Sequence, residues 1–276
     1  MTVLALAVSG RGLVDPNEPA VHADDEALLR GRAAFETLRV YAGRPYKLDA
    51  HLDRLASSAA RIGIPTPDAN EARELAALAL DQAGAPDAVL RFFRTPGREG
   101  AGEPGLLVLV SSLPTHLDGL RATGIRLASL LGVRAEAPWL LGGVKSTSYA
   151  VNMAAEAEAR ARGADDAVFV TEDDVVLEGP VTNVWWRRGS TLHTPSLDLG
   201  ILAGVTRDTV LELAPAAGYD IREGRFSLSD LRAADEAFTS SSVRELMPVI
   251  EVDGEPIPRG PAAEALQAAL RAAALR

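Results

Sequence analysis

Lys145, in the stretch LLGGVKSTSY (140–149), is one of two lysines in a chain of 276 residues; the other is Lys47, and arginine supplies the rest of the 28 basic residues. As a surface cation an arginine serves equally well. A guanidinium stays protonated, however, whereas a desolvated amine can lose its proton and act as nucleophile or base. A chain that writes arginine almost everywhere is expected to keep lysine where arginine cannot substitute, so Lys145 is a candidate reactive amine. Gly142 and Gly143 precede it and a helical pattern follows. That order predicts a lysine in a loop that opens a helix, where the positive end of the dipole would favour the neutral amine.

Other segments carry charged and hydroxyl groups; Arg54 and Glu178 taken singly read as solvated, while the helix start and the serines below are suited to holding an anion. Arg54 lies in HLDRL (51–55), off the apolar stripe of its helix. Glu178 follows an apolar run in LEGPVTNVWW. In GILAGVTRDTV, Gly204 and Thr206 mark a helix start at Val205, whose backbone N–H groups can cradle an anion without a basic residue. FTSSSVRELMPV offers Ser241 and Ser242 as hydroxyl donors after a strand, and RFFRTPGREG offers Arg94 and Arg98 as traps for a carboxylate. The stretch GAGEPG (100–105) matches G-x-G-x-x-G literally, but Pro104 sits inside it and a strand follows, so it reads as a hairpin loop rather than a dinucleotide-binding turn.

Composition removes several alternatives. There is no cysteine, which excludes disulfides, thiolate metal sites and a cysteine nucleophile. His22, His51, His116 and His193 are scattered without metal-ligand spacing. A net charge of −10 argues against a nucleic-acid surface, and any anionic ligand needs locally placed donors. The apolar N-terminus lacks a basic n-region and reads as a strand; no apolar run approaches a bilayer span, so a cytoplasmic protein is expected.

These groups need a scaffold. TVLALAVSG reads as a strand, and AAFETLRVYAGRPYKL as a hairpin turning at Ala42-Gly43. Leu48, Leu52, Leu55, Ala59 and Ile62 form one helical stripe ending at Gly63, and a second helix is expected over about 68–83. DAVLRFFRT and GLLVLVSSL read as strands, and PTHLDGL (114–120) as a linker. Then come the strand GIRLASLL, a loop around Pro138, and a helix opened by Lys145 and closed by Gly163. AVFVTEDDVVLEG and NVWWRRGSTLHTP read as strands, VTRDTVLELAPAAG as a helix and EAFTSS as a strand. The pattern predicts two α+β domains with mostly antiparallel sheets, 1–113 and 121–276, joined by 114–120.

In order and wording these segments resemble the class IV aminotransferases, the fold-type IV enzymes that use pyridoxal phosphate. The resemblance runs from about Gly31 to Gly254 and rests on FETLRVYAGRPYKLDAHLDRL, the lysine segment, LEGPVTN, GILAGVTR and SSVRELMPVIEVDG. It implies that Lys145 forms the Schiff base with the cofactor and that Arg54 binds its phosphate. It further implies that Val205 and Thr206 give the phosphate backbone and hydroxyl donors, that Ser242, with Ser241, adds a hydroxyl, and that Glu178 pairs with the pyridine nitrogen. Tyr149 falls where several members carry an Asn-Tyr pair near the cofactor; here the pair is Ser148-Tyr149. A homodimer acting on amino acids and 2-oxo acids is implied as well. Within the family, three readings remain: a D-amino acid transaminase, 4-amino-4-deoxychorismate lyase, which eliminates pyruvate, and a branched-chain L-amino acid transaminase. D-specific members are expected to carry an arginine and a histidine two apart in the 91–100 loop. Arg98-Glu99-Gly100 departs from that.

Overall fold

The computed structural model describes residues 1–132 and 141–276, and the expected loop around Pro138 lies outside them. The chain forms two compact units, one of residues 1–114 with 144–149 and one of residues 115–143 with 150–276.

In the first unit the elements are β1 (Val3–Val8), β2 (Gly12–Val14), α1 (Glu26–Arg30), β3 (Ala34–Tyr41), β4 (Arg44–Pro45), α2 (Leu48–Arg61), α3 (Ala69–Ala83), β5 (Ala88–Thr95) and β6 (Gly105–Ser111). The strands make one antiparallel sheet in the order β2-β1-β6-β5-β3-β4. Tyr41 pairs with Arg44 across Ala42-Gly43, both with positive φ, as a tight hairpin twisted to suit its strands requires. The apolar stripe of α2 (Leu52, Leu55, Ala59) and that of α3 (Ala72, Leu75, Ala76, Ala79) pack against Ala34, Leu38 and Val40 of β3 and their neighbours Leu90, Phe92, Val108 and Val110. The inward phase of β3 therefore runs Ala34, Glu36, Leu38, Val40, which places one carboxylate in an apolar row.

The second unit contains α4 (Leu117–Thr123), β7 (Ile125–Leu131), α5 (Ala150–Ala161), β8 (Asp166–Val170), β9 (Asn183–Arg188), β10 (Thr191–Pro195), α6 (Val205–Leu213), β11 (Asp220–Gly224), α7 (Leu228–Arg232), β12 (Glu236–Ser241), β13 (Glu245–Val252), β14 (Glu255–Pro256) and α8 (Ala262–Ala274). Its sheet runs β11-β10-β9-β12-β13-β7-β8, with β14 on β13. The β10/β11, β13/β7 and β7/β8 pairs are parallel and the others antiparallel. One core of this unit gathers Trp186, Phe226, Leu231, Met247 and Val249; another gathers Phe169, Leu177, Leu199 and Ile201 with Ala155 and Ala159 of α5.

Three local expectations change. Residues 117–123 are helical, so the irregular stretch expected over 114–120 runs into α4; Leu117 is buried there and anchors it. Lys145 does not open a helix, because α5 starts at Ala150, five residues later. Residues 144–149 instead run beside β3, where Ser146 bridges Ala34. The run AVFVTEDDVVLEG is not one strand: β8 stops at Val170, the chain turns through 171–174, and Val176 bridges back to Val170.

Candidate active site

Lys145 is positioned by its backbone. The N–H of Phe35 donates to the Lys145 carbonyl at 3.0 Å, the Lys145 N–H donates to Ser58 Oγ at 3.2 Å, and the Thr147 N–H donates to the Ala33 carbonyl at 2.8 Å. The half-buried side chain places Nζ 4.3 Å from the centroid of the Phe35 ring and 5.9 Å from that of Tyr149. These two rings meet edge to face at 5.3 Å. Aromatic faces tolerate the amine in either protonation state, as a cation over a quadrupole or as a desolvated neutral group.

Arg54 belongs to a buried cluster in the same unit. Its Nε lies 2.6 Å from Glu36 Oε1 and its Nη2 2.8 Å from Oε2. Nδ1 of buried His51 is 2.7 Å from Oε2. Burial alone would raise the Glu36 pKa, but the charge of Arg54 and the hydrogen bonds from Arg54 and His51 outweigh it and hold Glu36 at about 2. Burial pushes the His51 pKa down, with the charges of Arg54 and Lys145 acting in the same direction against the pull of Glu36. A neutral imidazole beside an ionised carboxylate must donate its Nδ1–H. His51, Arg54 and Ser58 are spaced i, i+3, i+7 along α2, a polar track beside the apolar stripe. Sequence reasoning singled out Arg54 and missed Glu36, His51 and Ser58. The available signals were a charged residue on the apolar phase of β3 and this helical spacing.

The remaining predicted residues lie in the second unit. Glu178 is 5% exposed, and its Oε2 accepts from the Leu202 N–H at 3.0 Å. Asn183, at the start of β9, donates through Nδ2 to the Leu202 carbonyl at 2.9 Å. A Cβ on Gly204 would fall 2.0 Å from Asn183 Oδ1, so only glycine fits there. Glu178 and Asn183 together thus fix residues 202–204, which lead into α6. Gly204 caps α6 with no side-chain hydrogen bond, so the first-turn N–H groups of Val205 and Thr206 have no capping side chain. Thr206 Oγ1 and Ser242 Oγ lie 3.5 Å apart. Ser241 ends β12, and the neighbouring Ser240 hydroxyl accepts from Trp185 Nε1 at 2.9 Å. A helix start and two converging hydroxyls make a neutral donor set for an anion.

Arg94 and Arg98 differ. Arg94 is buried and its guanidinium donates to the carbonyls of Pro65, Thr66 and Pro104 at 2.8–3.4 Å, ties that brace a loop. Arg98 is half exposed and pairs with Asp24 at 2.9–3.0 Å.

The family model for amino-transferase class IV matches residues 33–252. The chain belongs to that family. It is 36% identical over 267 residues to a Mycobacterium tuberculosis protein named bifunctional aminodeoxychorismate lyase / D-amino acid transaminase, covering 91% of this chain and 92% of that one. To the aminodeoxychorismate lyase of Bacillus subtilis it is 32% identical, covering 89% and 86%. Among solved structures, a hypothetical aminotransferase from Mycobacterium tuberculosis in its PLP-bound form superposes with a TM-score of 0.93 at 35% identity, covering 98% of this chain and 99% of that one. The fold is that of the fold-type IV aminotransferases, and pyridoxal phosphate is the cofactor of this class. The chemistry of each unit's groups suits that cofactor: in the second unit a buried carboxylate for a protonated ring nitrogen, with hydroxyls and helix N–H groups for a phosphate, and in the first unit an amine for the carbonyl.

Proposed function

We propose that this chain is a pyridoxal phosphate-dependent transaminase, moving an amino group from a D-amino acid to a 2-oxo acid in the cytoplasm. The observation that carries the reading is Lys145, an amine fixed by backbone contacts on both sides and held over two aromatic rings. The cofactor, once bound, supplies an electron sink for the bonding electrons released at the substrate α-carbon. The chain's own residues do the rest. Lys145 would hold the cofactor covalently and, once freed by the substrate amine, its Nζ would take the proton from the substrate α-carbon as base and deliver it as acid to the cofactor carbon that bears the transferred nitrogen. Glu178 would pair with the ring nitrogen and keep it protonated. Val205, Thr206 and Ser242, with Ser241 beside them, hold the phosphate, as does Arg54. Tyr149 packs beside the amine. Of the two loop arginines, Arg98 is the accessible one, and it anchors the substrate carboxylate.

D-stereochemistry is supported by the name of the bifunctional relative. A second reading, elimination of pyruvate from aminodeoxychorismate, is supported by that protein's other activity, by the Bacillus subtilis lyase, and by the lack of a histidine two residues after Arg98. The half-reaction separates the two. D-alanine added to holoenzyme without an acceptor should bleach the yellow cofactor and release one equivalent of pyruvate per site, whereas L-alanine should not. Silence with D- and L-amino acids, together with pyruvate release from aminodeoxychorismate, would transfer the protein to the lyases. Conversion by branched-chain L-amino acids alone would make it the third type.

We assign a homodimer on the same basis. Leu28 and Leu29 of α1, and Val151 and Met153 of α5, are exposed apolar residues suited to cover by a second copy. Light scattering should give twice the chain mass; an active monomer would contradict this.

A further inference from the structure

The geometry points to Glu36 as a positioning residue for the cofactor: a buried carboxylate that fixes the guanidinium of Arg54 in the orientation the phosphate needs. This rests on the reading of Arg54 as a phosphate arginine.

A carboxylate has no reason of packing to occupy the apolar phase of β3. Ala34, Leu38 and Val40 share that face, and an aliphatic residue at 36 would continue it. Burying an ion costs several kcal/mol unless its partners are well placed, and isosteric apolar replacement of buried pairs is often neutral or stabilising. Glu36 is fully buried all the same, and its contacts are directional. Oε1 takes Arg54 Nε, Oε2 takes Arg54 Nη2, and His51 Nδ1 meets Oε2 at 2.7 Å. Two parallel bonds to one edge of a planar guanidinium fix both its plane and its rotation. They direct the N–H bonds of Nη1, and the outer N–H of Nη2, away from the carboxylate. An arginine locked in this way has already lost its side-chain freedom before an anion arrives, so less binding energy is spent on ordering it. His51 fixes the carboxylate in turn, and its own backbone sits one helical turn from Arg54 on α2. The device runs sheet carboxylate to helix arginine to phosphate, with His51 as a side brace.

Among the cofactor's contacts, a neutral Glu36 side chain should therefore weaken the grip on the phosphate alone. The test uses full-length apoenzyme of wild type, Glu36→Gln, and the double variant Glu36→Gln/Arg54→Ala. Each is titrated with pyridoxal phosphate and with pyridoxal, which lacks the phosphate, while the bound chromophore is followed. Loss of one charge-assisted contact should raise the pyridoxal phosphate dissociation constant of Glu36→Gln about tenfold. Pyridoxal affinity should stay at the wild-type value. Equal weakening for both ligands would mean that Glu36 only supports the fold. Tighter phosphate binding by Glu36→Gln would mean that the carboxylate competes with the ligand. Either result overturns the proposal. If the double variant binds pyridoxal phosphate as wild type does, the assignment of Arg54 itself has failed. If the double variant loses affinity while Glu36→Gln does not, Arg54 stands and only the role of Glu36 is refuted. Should Glu36→Gln not fold, His51→Gln, which leaves the Glu36–Arg54 pair in place, should still show a smaller loss confined to pyridoxal phosphate; no loss, or equal loss for both ligands, would overturn the account.

Discussion

The backbone N–H of Leu202 donates to Glu178 Oε2 at 3.0 Å, joining the turn after β8 to the segment that starts α6. One carboxylate thus fixes the loop before the helix, and on the proposed function its charge would serve the ring nitrogen of the cofactor. Glu178→Gln keeps an acceptor for Leu202 and removes the charge. The variant should fold and bind cofactor, while the proton-transfer step slows on the order of a hundredfold or more, as when a preorganised electrostatic group is lost from a site. Single-turnover kinetics with a saturating amino acid will check this; an unchanged rate would remove Glu178 from the ring.

Arg54→Ala should do more than release the cofactor on dialysis. It leaves Glu36 buried without its cation, which costs about 3–5 kcal/mol of stability. Adding Glu36→Gln should restore most of the apoenzyme melting temperature without restoring cofactor affinity. Thermal denaturation of the single and double variants decides the matter, and additive losses would argue against the pairing.

Acid should act through the same cluster. Glu36 is held at about 2, below its unfolded value near 4.5, so its contribution is fully present above the unfolded value and is lost as pH falls from there toward 2. The difference corresponds to roughly 3 kcal/mol. His51, with a lowered pKa, acts in the same direction, because the unfolded chain takes up a proton first as pH drops below the ordinary histidine range. Urea unfolding measured from neutral pH to pH 3 should show Glu36→Gln losing stability less steeply than wild type below pH 5. Parallel curves would refute it.

Much of the first unit was legible in the sequence because its determinants are local: the Ala42-Gly43 turn, the leucine stripe of α2 and the strand of DAVLRFFRT. Lys145 stood out by scarcity, but its surroundings were misjudged. The loop from 144 to 149 is held by pairing with β3, more than a hundred residues away in sequence, and not by α5. The parallel pairs β13/β7 and β7/β8 are long-range in the same sense, and nothing in a strand's own pattern names its partner. Glu36 and His51 were missed because each looks like an ordinary polar residue until β3 and α2 are packed together. Asn183 is a similar case: its meaning depends on Gly204, which leaves room for it.

Arg98, paired with Asp24 at the surface, should be dispensable for cofactor binding. Arg98→Ala is expected to raise the KM for the amino acid severalfold with the holoenzyme spectrum unchanged. Asp24→Asn, which releases Arg98 from its partner, should move KM the other way. Steady-state kinetics over a series of D-amino acids checks both, and an unaltered KM in Arg98→Ala would leave the carboxylate anchor to another residue.

The most direct test of the account is covalent. Borohydride added to the yellow holoenzyme, followed by proteolysis and mass spectrometry, should place the reduced cofactor on the peptide containing Lys145. Lys145→Arg, which preserves the charge and cannot form the linkage, should give colourless, unlabelled protein. Label on Lys47, or colour and label retained by Lys145→Arg, would contradict the assignment on which the proposed function stands.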